Sequence, residues 1–117
     1  MREKALVNLR IAGALHELGF QDAAATHLYY AAFQAEIHSF EKRGLRPQDL
    51  HPRSSKWDHW LVIEHAGLAR GRAWDRVLLR ELRTARNEAD YRADGILAAR
   101  VEGLLGPAAE FIREATS

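Results

Sequence analysis

The sequence contains no cysteine and only three prolines among its 117 residues. Without cysteine the chain has no disulfides, no thiolate nucleophile and no zinc site built on sulfur ligands. No apolar run approaches the roughly 20 residues that a transmembrane helix needs. The opening segment MREKALVNLR mixes charged and apolar residues, unlike the apolar core of a signal peptide. We therefore expect a cytoplasmic protein with no membrane partner.

Familiar catalytic and metal-binding motifs are absent as well. The sequence has no glycine-rich phosphate loop, no HExxH, no nucleophile elbow and no paired Glu-x-x-His set. No two of the six histidines stand three or four residues apart, so a metal-binding pair on one helix is missing. No segment alternates apolar and polar residues as a strand would, and none repeats internally. The pattern predicts an all-α chain with no cofactor and no metal.

The length of 117 residues predicts a single domain over residues 1–117. With 47% apolar and 28% charged residues, its composition is that of an ordinary globular chain. We expect a first helix over residues 3–18, ended by Gly19. Its core-facing residues are expected to be Val7, Ile11, Ala14, Leu15 and Leu18. A second helix is predicted from a cap at Asp22 to Gly44, and its many alanines would let a neighbouring helix approach closely.

The second half of the chain predicts one short and two long helices. The segment LRPQDLHPRSSK reads as a loop because its two prolines cannot continue a helix. Ser54 or Ser55 is expected to cap the short helix that follows. A long helix is predicted over residues 72–92, and Asp94 is expected to cap the last helix, which Gly106-Pro107 should kink or interrupt. Together these elements predict an antiparallel four- to five-helix bundle.

The predicted helix over residues 72–92 has two contrasting faces. At about 100° per residue, one arc of roughly 120° is basic and polar. It holds Arg76, Arg80, Arg83, Arg86, Asn87 and Asp90. The opposite arc is apolar and is expected to face the core. It holds Trp74, Leu78, Leu82, Ala85 and Ala89.

This basic face has two interpretations. Seven arginines against four carboxylates over residues 70–92 give a local charge of +3 on a chain whose net charge is +1, which is compatible with a phosphate-bearing partner. The same arginines could instead form ordinary helix-surface ion pairs, each worth a few tenths of a kcal/mol. The crowding of a cation, an amide, a carboxylate and the Tyr91 phenol into one turn favours a functional role.

The remaining titratable and aromatic residues offer weaker candidates. His51 and His59, near the long loop, are the histidines most suited to contact a substrate. Asp58 beside His59 is a possible general acid and base pair, although helix ends often carry such residues. His27 and His38 share one side of the second helix, where an exposed structural role is expected. The aromatic residues expected mainly in the core are Tyr29, Tyr30, Trp57, Trp60 and Trp74.

Two blocks of the sequence resemble the HEPN domain superfamily. The first is AATHLYYAAFQAEIHSFEKRGLRP, with a tyrosine pair followed by small residues and phenylalanine. The second is LRTARNEADYR, followed by a final helix ending in AAEFIREA. The similarity covers the chain from about Ala23 to the C-terminus and is greatest to small stand-alone members with an R-N-x-A-D-Y block. It implies a four- or five-helix bundle, frequently a homodimer, often encoded beside a nucleotidyltransferase in toxin-antitoxin or defence settings.

Many HEPN proteins are metal-independent ribonucleases with an R-x(4-6)-H motif, in which arginine binds phosphate and histidine assists proton transfer. By this resemblance Arg86 takes the arginine position and Asn87 the polar position after it. The histidine is absent: Tyr91 occupies the position five residues after Arg86, where it would be expected, and Asp90 precedes it. A phenol with a pKa near 10 is a poor general base at neutral pH. Arg86 and Asp90 could equally form a structural ion pair.

Three hypotheses follow. The first is an interaction module that binds a nucleotide, an RNA phosphate or a partner nucleotidyltransferase. Its contacts would come from Arg76, Arg80, Arg83, Arg86, Asn87, Asp90, Tyr91 and His59. The second is a metal-independent endoribonuclease toxin in which Arg86 binds phosphate and Asp90, Tyr91 or a spatially close His59 replaces the missing histidine. The third is a homodimerisation domain without a ligand.

Overall fold

A computed structural model describes residues 1–117, except for the side chain of Ala69. Its helices are α1 (Arg2–Glu17), α2 (Gln21–Lys42), α3 (Pro47–Leu50), α4 (His59–Glu64), α5 (Trp74–Tyr91) and α6 (Ala98–Thr116), with a 3-10 turn at Leu68–Arg70. The described backbone contains no strand, so the prediction of an all-helical bundle is confirmed. In this same part of the chain, no helix is long and apolar enough to cross a membrane.

Helix α2 lies at the centre of the bundle and packs against α1, α4, α5 and α6. Most of the alanines that were predicted to allow close approach are buried, namely Ala24, Ala25, Ala31, Ala32 and Ala35. Ala23 is exposed. Alanine side chains on the buried face allow neighbouring backbones to approach α2 from several sides. The larger residues Tyr29, Ile37 and Phe40 are buried between them, so this helix contributes more buried apolar residues to the core than any other helix.

The predicted inner face of α1 is wrong except at Leu15, which packs against the core. Val7, Ile11 and Leu18 are 40%, 37% and 71% exposed, and Ala14 is exposed too. The residues fully buried against α2 are Ala5 and Ala12, and the leucines that pack beside them are Leu6, Leu9 and Leu15. Close packing of two alanine-rich surfaces places the small side chains at the contact, while Val7, Ile11 and Leu18 are turned outwards.

The long loop and the short helix differ from their predictions in detail. One helical turn, α3, interrupts the predicted loop, and Pro47 stands at its first position, where its missing N–H costs nothing. Helix α4 begins at His59, and its cap is Asp58, not Ser54 or Ser55. The Asp58 carboxylate accepts a hydrogen bond of 2.8 Å from the Leu61 amide. The serines precede this turn, too far from the first free amides of the helix to cap it.

Helix α5 confirms the predicted long helix, but its buried face is rotated from the expected one. Leu82, Ala85 and Ala89 are buried as predicted, and they are joined by Leu79. Trp74, expected in the core, is 80% exposed. The first turn of α5 is instead anchored by the buried Asp75, which is held 2.8 Å from the Arg70 guanidinium. This ion pair fixes the rotation at which α5 begins and leaves the indole outside.

The Arg70 guanidinium also binds the fully buried Glu36 of α2, at 2.8 Å, and the Ser39 hydroxyl at 2.6 Å. Burial raises the pKa of the Glu36 carboxyl, and the Arg70 hydrogen bond opposes that rise. The network links α2, the 3-10 turn and α5. It therefore sets the position of α5 relative to the centre of the bundle.

Helix α6 is continuous, so the interruption predicted at Gly106-Pro107 is wrong. Pro107 and Gly103, four residues before it, are both exposed. Gly103 has no side chain to meet the proline ring, and water can reach the carbonyl that the ring leaves without an amide donor.

The caps predicted at Asp94 and Asp22 are wrong as well. Leu97 precedes α6, and the Asp22 carboxylate accepts from the Ile96 amide at 2.9 Å, tying α2 to the entry of α6.

Candidate functional site

Side chains from α2, α4 and α5 meet in one partly exposed cluster. We call it the Tyr-His-Arg cluster. It consists of Tyr29, Tyr30, His59 and Arg86, together with Arg83, which lies one helical turn before Arg86 and whose charge acts on Tyr29 and His59. The Tyr29 ring stacks on the His59 imidazole with centroids 5.6 Å apart. The Arg86 guanidinium lies 5.0 Å from the centroid of Tyr30 and 5.8 Å from that of Tyr29.

The Tyr29 hydroxyl lies 2.5 Å from His59 Nδ1. Burial raises the pKa of Tyr29 to about 12, so this phenol stays protonated at neutral pH. It has no other hydrogen-bond acceptor among the described residues. Donation from the hydroxyl to Nδ1 therefore satisfies the phenol and leaves the imidazole proton on Nε2.

The pKa of His59 is lowered, first by burial and then by the positive charges of Arg83 and Arg86. A neutral imidazole is therefore favoured at pH 7. With its proton on Nε2, this ring can donate one hydrogen bond to an anion without adding a third positive charge beside the two arginines. Such a group suits recognition of a phosphate oxygen.

Arg86 is held by aromatic rings more than by carboxylates. Cation-π contacts of this kind contribute about 0.5–2 kcal/mol, depending on desolvation. Its Nε is buried and makes no hydrogen bond within the described part of the chain. The Asp90 carboxylate lies 3.5 Å from that nitrogen, which is too long for a well-formed hydrogen bond. The structural ion pair is thus present but loose, and a buried guanidinium nitrogen remains unsatisfied.

The predicted basic face divides into two halves. Arg80 and Arg76 approach the Glu64 carboxylate at 2.7 and 4.0 Å, so they form ordinary surface ion pairs. Arg83 differs, because no carboxylate of the described residues lies within 4.0 Å of its guanidinium. It lines a surface groove of about 370 Å³ between α4 and α5, together with Asn87. The surface-pair interpretation therefore holds for Arg76 and Arg80. It holds only loosely for Arg86, and it does not apply to Arg83.

Three other candidate residues from the sequence, Asp58, His27 and Tyr91, have environments that differ from one another. Asp58 is a helix cap, which explains its place beside His59 without catalysis. His27 is half-buried, not exposed, and its Nδ1 lies 2.9 Å from the Asn8 side-chain oxygen. Tyr91 is 83% exposed, and its side chain makes no hydrogen bond or aromatic contact with the described residues. The structure therefore gives Tyr91 no place in the Tyr-His-Arg cluster.

The sequence alone did not indicate that the tyrosine pair belongs to this cluster. Tyr29 is fully buried, as expected for a core aromatic, yet its hydroxyl faces the histidine. The available signal was the pair of adjacent tyrosines, since a buried phenol requires a hydrogen-bond partner. Thirty residues separate Tyr29 from His59, so spacing alone could not identify that partner.

Neither the cluster nor any other group of described residues gathers three or more histidine and carboxylate side chains that could hold a metal ion. The arrangement can offer an anion two guanidiniums and a neutral imidazole N–H.

No protein-family model, curated protein or solved structure matches this chain.

Proposed function

We propose that this chain is a HEPN-like interaction module that binds the phosphate of RNA or a nucleotide through Arg83, Arg86 and His59. The observation that carries the proposal is that Arg86 and His59 both contact Tyr29, with Arg83 one helical turn before Arg86 and its charge acting on His59. Arg83 lacks a carboxylate partner and Arg86 has only a loose one. Guanidiniums without a close carboxylate partner can make bidentate contacts to phosphate oxygens.

The packing supports binding because it prepares the donors before a ligand arrives. The rings of Tyr29 and Tyr30 position the Arg86 guanidinium through cation-π contacts. The Tyr29 hydroxyl orients His59 through a hydrogen bond. A side chain already fixed in place loses less conformational entropy when it binds. The exposed part of Arg86, 24% of its side chain, is the part open to a ligand.

The test is salt-dependent binding of a fluorescent single-stranded RNA. We expect the double substitution Arg83→Ala with Arg86→Ala to lower the affinity at least about tenfold. The matched control is Arg76→Ala with Arg80→Ala, which removes the same charge from the same helix but takes it from pairs with Glu64. If both double variants bind alike, non-specific charge explains the binding. If the wild type binds neither RNA nor nucleotide, the proposal fails.

A second candidate function is metal-independent RNA cleavage, favoured by the position of His59 near Arg86. Cleavage by the 2′-hydroxyl of RNA needs a group that accepts its proton and a group that protonates the departing 5′ oxygen. His59 could accept a proton at Nδ1 only after releasing the Tyr29 hydroxyl. Because that hydrogen bond occupies the basic nitrogen, the geometry favours binding over catalysis.

Incubation of the protein with single-stranded RNA in EDTA separates these functions. Cleavage that disappears in His59→Gln and in Arg86→Ala would establish the ribonuclease. Intact RNA at high protein concentration, together with salt-dependent binding, would exclude catalysis and support the interaction module.

We further infer that the protein forms a homodimer and works beside a nucleotidyltransferase in a toxin-antitoxin or defence setting. The HEPN resemblance supports this inference, and so does the apolar surface of α1. Val7, Ile11 and Leu18 are exposed on that surface, where a second copy could cover them. Sedimentation velocity tests the dimer: Ile11→Glu with Leu18→Glu should yield monomers, and a monomeric wild type would contradict it.

A further inference from the structure

Trp60 is an exposed aromatic residue beside a buried apolar run. The next three residues of α4, Leu61, Val62 and Ile63, are at most 4% exposed, whereas Trp60 is 53% exposed. This contradicts the prediction that the indole belongs to the core. The side chain lies at the edge of the groove between α4 and α5 that Arg83 also lines.

The Trp60 ring is held in place by two histidines. His51 and His65 lie perpendicular to it, with ring centroids 5.7 and 6.3 Å away. His65 is fixed in turn, because its Nδ1 lies 2.9 Å from the Leu61 carbonyl oxygen, which can only accept a hydrogen bond. The indole is therefore supported at its sides while more than half of the residue remains open to solvent.

The groove beside this indole combines an aromatic surface with specific polar groups. Asn87 is exposed. Its side-chain amide makes no hydrogen bond with any side chain or backbone group that the structure describes. Arg83 supplies a cation without a carboxylate partner there, while Arg80 is neutralised by Glu64 at 2.7 Å. The volume of about 370 Å³ falls within the roughly 300–1,000 Å³ of small-ligand sites.

We propose that this groove is a nucleobase-stacking subsite for single-stranded RNA. Trp60 stacks against one unpaired base, the Asn87 amide hydrogen-bonds to the edge of that base, and Arg83 binds the adjoining phosphate. The inference rests on the proposed function, because Arg83 belongs to both the groove and the Tyr-His-Arg cluster. It adds a ligand class, since a stacked base requires a strand whose bases are free of pairing.

Charge and shape together favour RNA as the occupant. An apolar protein segment would leave the Arg83 guanidinium and the Asn87 amide without partners, which is costly where water is excluded. A duplex presents its bases already stacked, so it cannot place one against the Trp60 indole. A single strand satisfies all three side chains with one nucleotide.

The experiment compares two fluorescent oligomers with equal numbers of phosphates, a single-stranded RNA and an abasic strand. The wild type should bind the RNA more tightly than the abasic strand. Trp60→Ala should weaken RNA binding about 5- to 100-fold, as expected for loss of one base-aromatic stack, and leave abasic binding unchanged. Trp60→Phe should retain most of the RNA affinity, since a smaller aromatic ring still stacks. The matched control is Trp74→Ala, which removes an indole that is 80% exposed and lies outside the groove.

Tryptophan fluorescence gives a second measurement that does not depend on the alanine variant. RNA should quench part of the wild-type emission, and this quenching should disappear in Trp60→Phe but persist in Trp74→Phe. If wild type and Trp60→Ala bind both oligomers equally while Arg83→Ala with Arg86→Ala still weakens binding, the stacking subsite is overturned and the phosphate site stands. If neither oligomer binds the wild type, both proposals fail.

Discussion

The Tyr29 hydroxyl lies 2.5 Å from His59 Nδ1, which links the central helix α2 to the first residue of α4. Through this contact a fully buried tyrosine controls the orientation of a half-buried histidine. Arg86 stacks over the same tyrosine, so one aromatic side chain positions both an imidazole and a guanidinium. The arrangement of the candidate site therefore depends on the packing of α2 against α4 and α5.

We predict that Arg83→Ala raises the pKa of His59 towards its ordinary value of 6.5, because one of the positive charges that lower it is removed. A pH titration of the histidine ring protons by NMR measures the change. The control is Arg76→Ala, whose charge is not among those acting on His59. Equal shifts in both variants would contradict a specific effect of the Arg83 charge on the pKa of His59.

The lowered pKa of His59 also predicts a pH dependence of stability. Since the folded-state pKa lies below 6.5, the unfolded chain binds the proton more tightly. The contribution of His59 to stability is thus complete above about pH 6.5 and is lost as pH falls through the folded-state pKa. Urea denaturation between pH 7.5 and 5 should show a smaller decline in His59→Gln than in the wild type, and an unchanged decline would refute the prediction.

Arg70→Ala should be among the most destabilising substitutions. It would leave the buried Glu36 carboxylate without its cation and Asp75 with only the more distant Arg72, 3.6 Å away, at a cost of about 3–5 kcal/mol. Arg46→Ala is the control, because its pair with Asp49 is exposed and should contribute less than about 1 kcal/mol. Chemical denaturation measures both, and similar losses would show that the buried network does not stabilise the fold.

Gly67→Ala should cost about 1–3 kcal/mol more than Gly44→Ala, because it adds a steric clash. Both glycines have φ of +75°, so the left-handed strain is matched. A methyl group at Gly44 meets nothing within 4 Å, whereas at Gly67 it would lie 1.9 Å from the Arg72 carbonyl oxygen. Equal losses in the free energy of unfolding would contradict the tight turn that leads into α5.

Asp58→Ala should cost about 1 kcal/mol, as expected for loss of an N-cap, while Asp58→Ser should restore most of that stability. Serine can accept the Leu61 amide hydrogen bond but cannot act as a carboxylate acid or base. RNA binding by Asp58→Ser at the wild-type level would support the capping role. A loss of binding or cleavage with stability retained would assign Asp58 to the chemistry instead.

The sequence predicted the helices better than it predicted their faces. Regular apolar spacing located α5 to within two residues, because that periodicity reflects one side of a helix against a core. The same spacing misplaced the inner face of α1, since close packing of Ala5 and Ala12 against α2 overrode the preference of Val7 and Ile11 for burial. The rotation of α5 depends on the Arg70–Asp75 ion pair, which no periodicity reveals.

The candidate site was predictable only in part. The arginines stood out by spacing within one helix, and His59 was named as a possible spatial neighbour. The division of the basic face depends on Glu64, which lies 16 residues before Arg80 and reaches it only in the folded chain. The stacking of Arg86 on the tyrosine pair likewise depends on how α2 and α5 pack, which pattern analysis cannot supply.

The most direct test uses five of the six histidines as reporters during an RNA titration followed by NMR. His59 lies in the Tyr-His-Arg cluster and His51 and His65 flank Trp60, whereas His16 contacts Gln21 and Glu102 and His27 contacts Asn8, away from the groove. We predict saturable shifts of the His59 ring signals, with smaller shifts at His51 and His65 and none at His16 and His27. RNA binding that shifts only His16 or His27, or that leaves His59 unmoved, would contradict the proposed site.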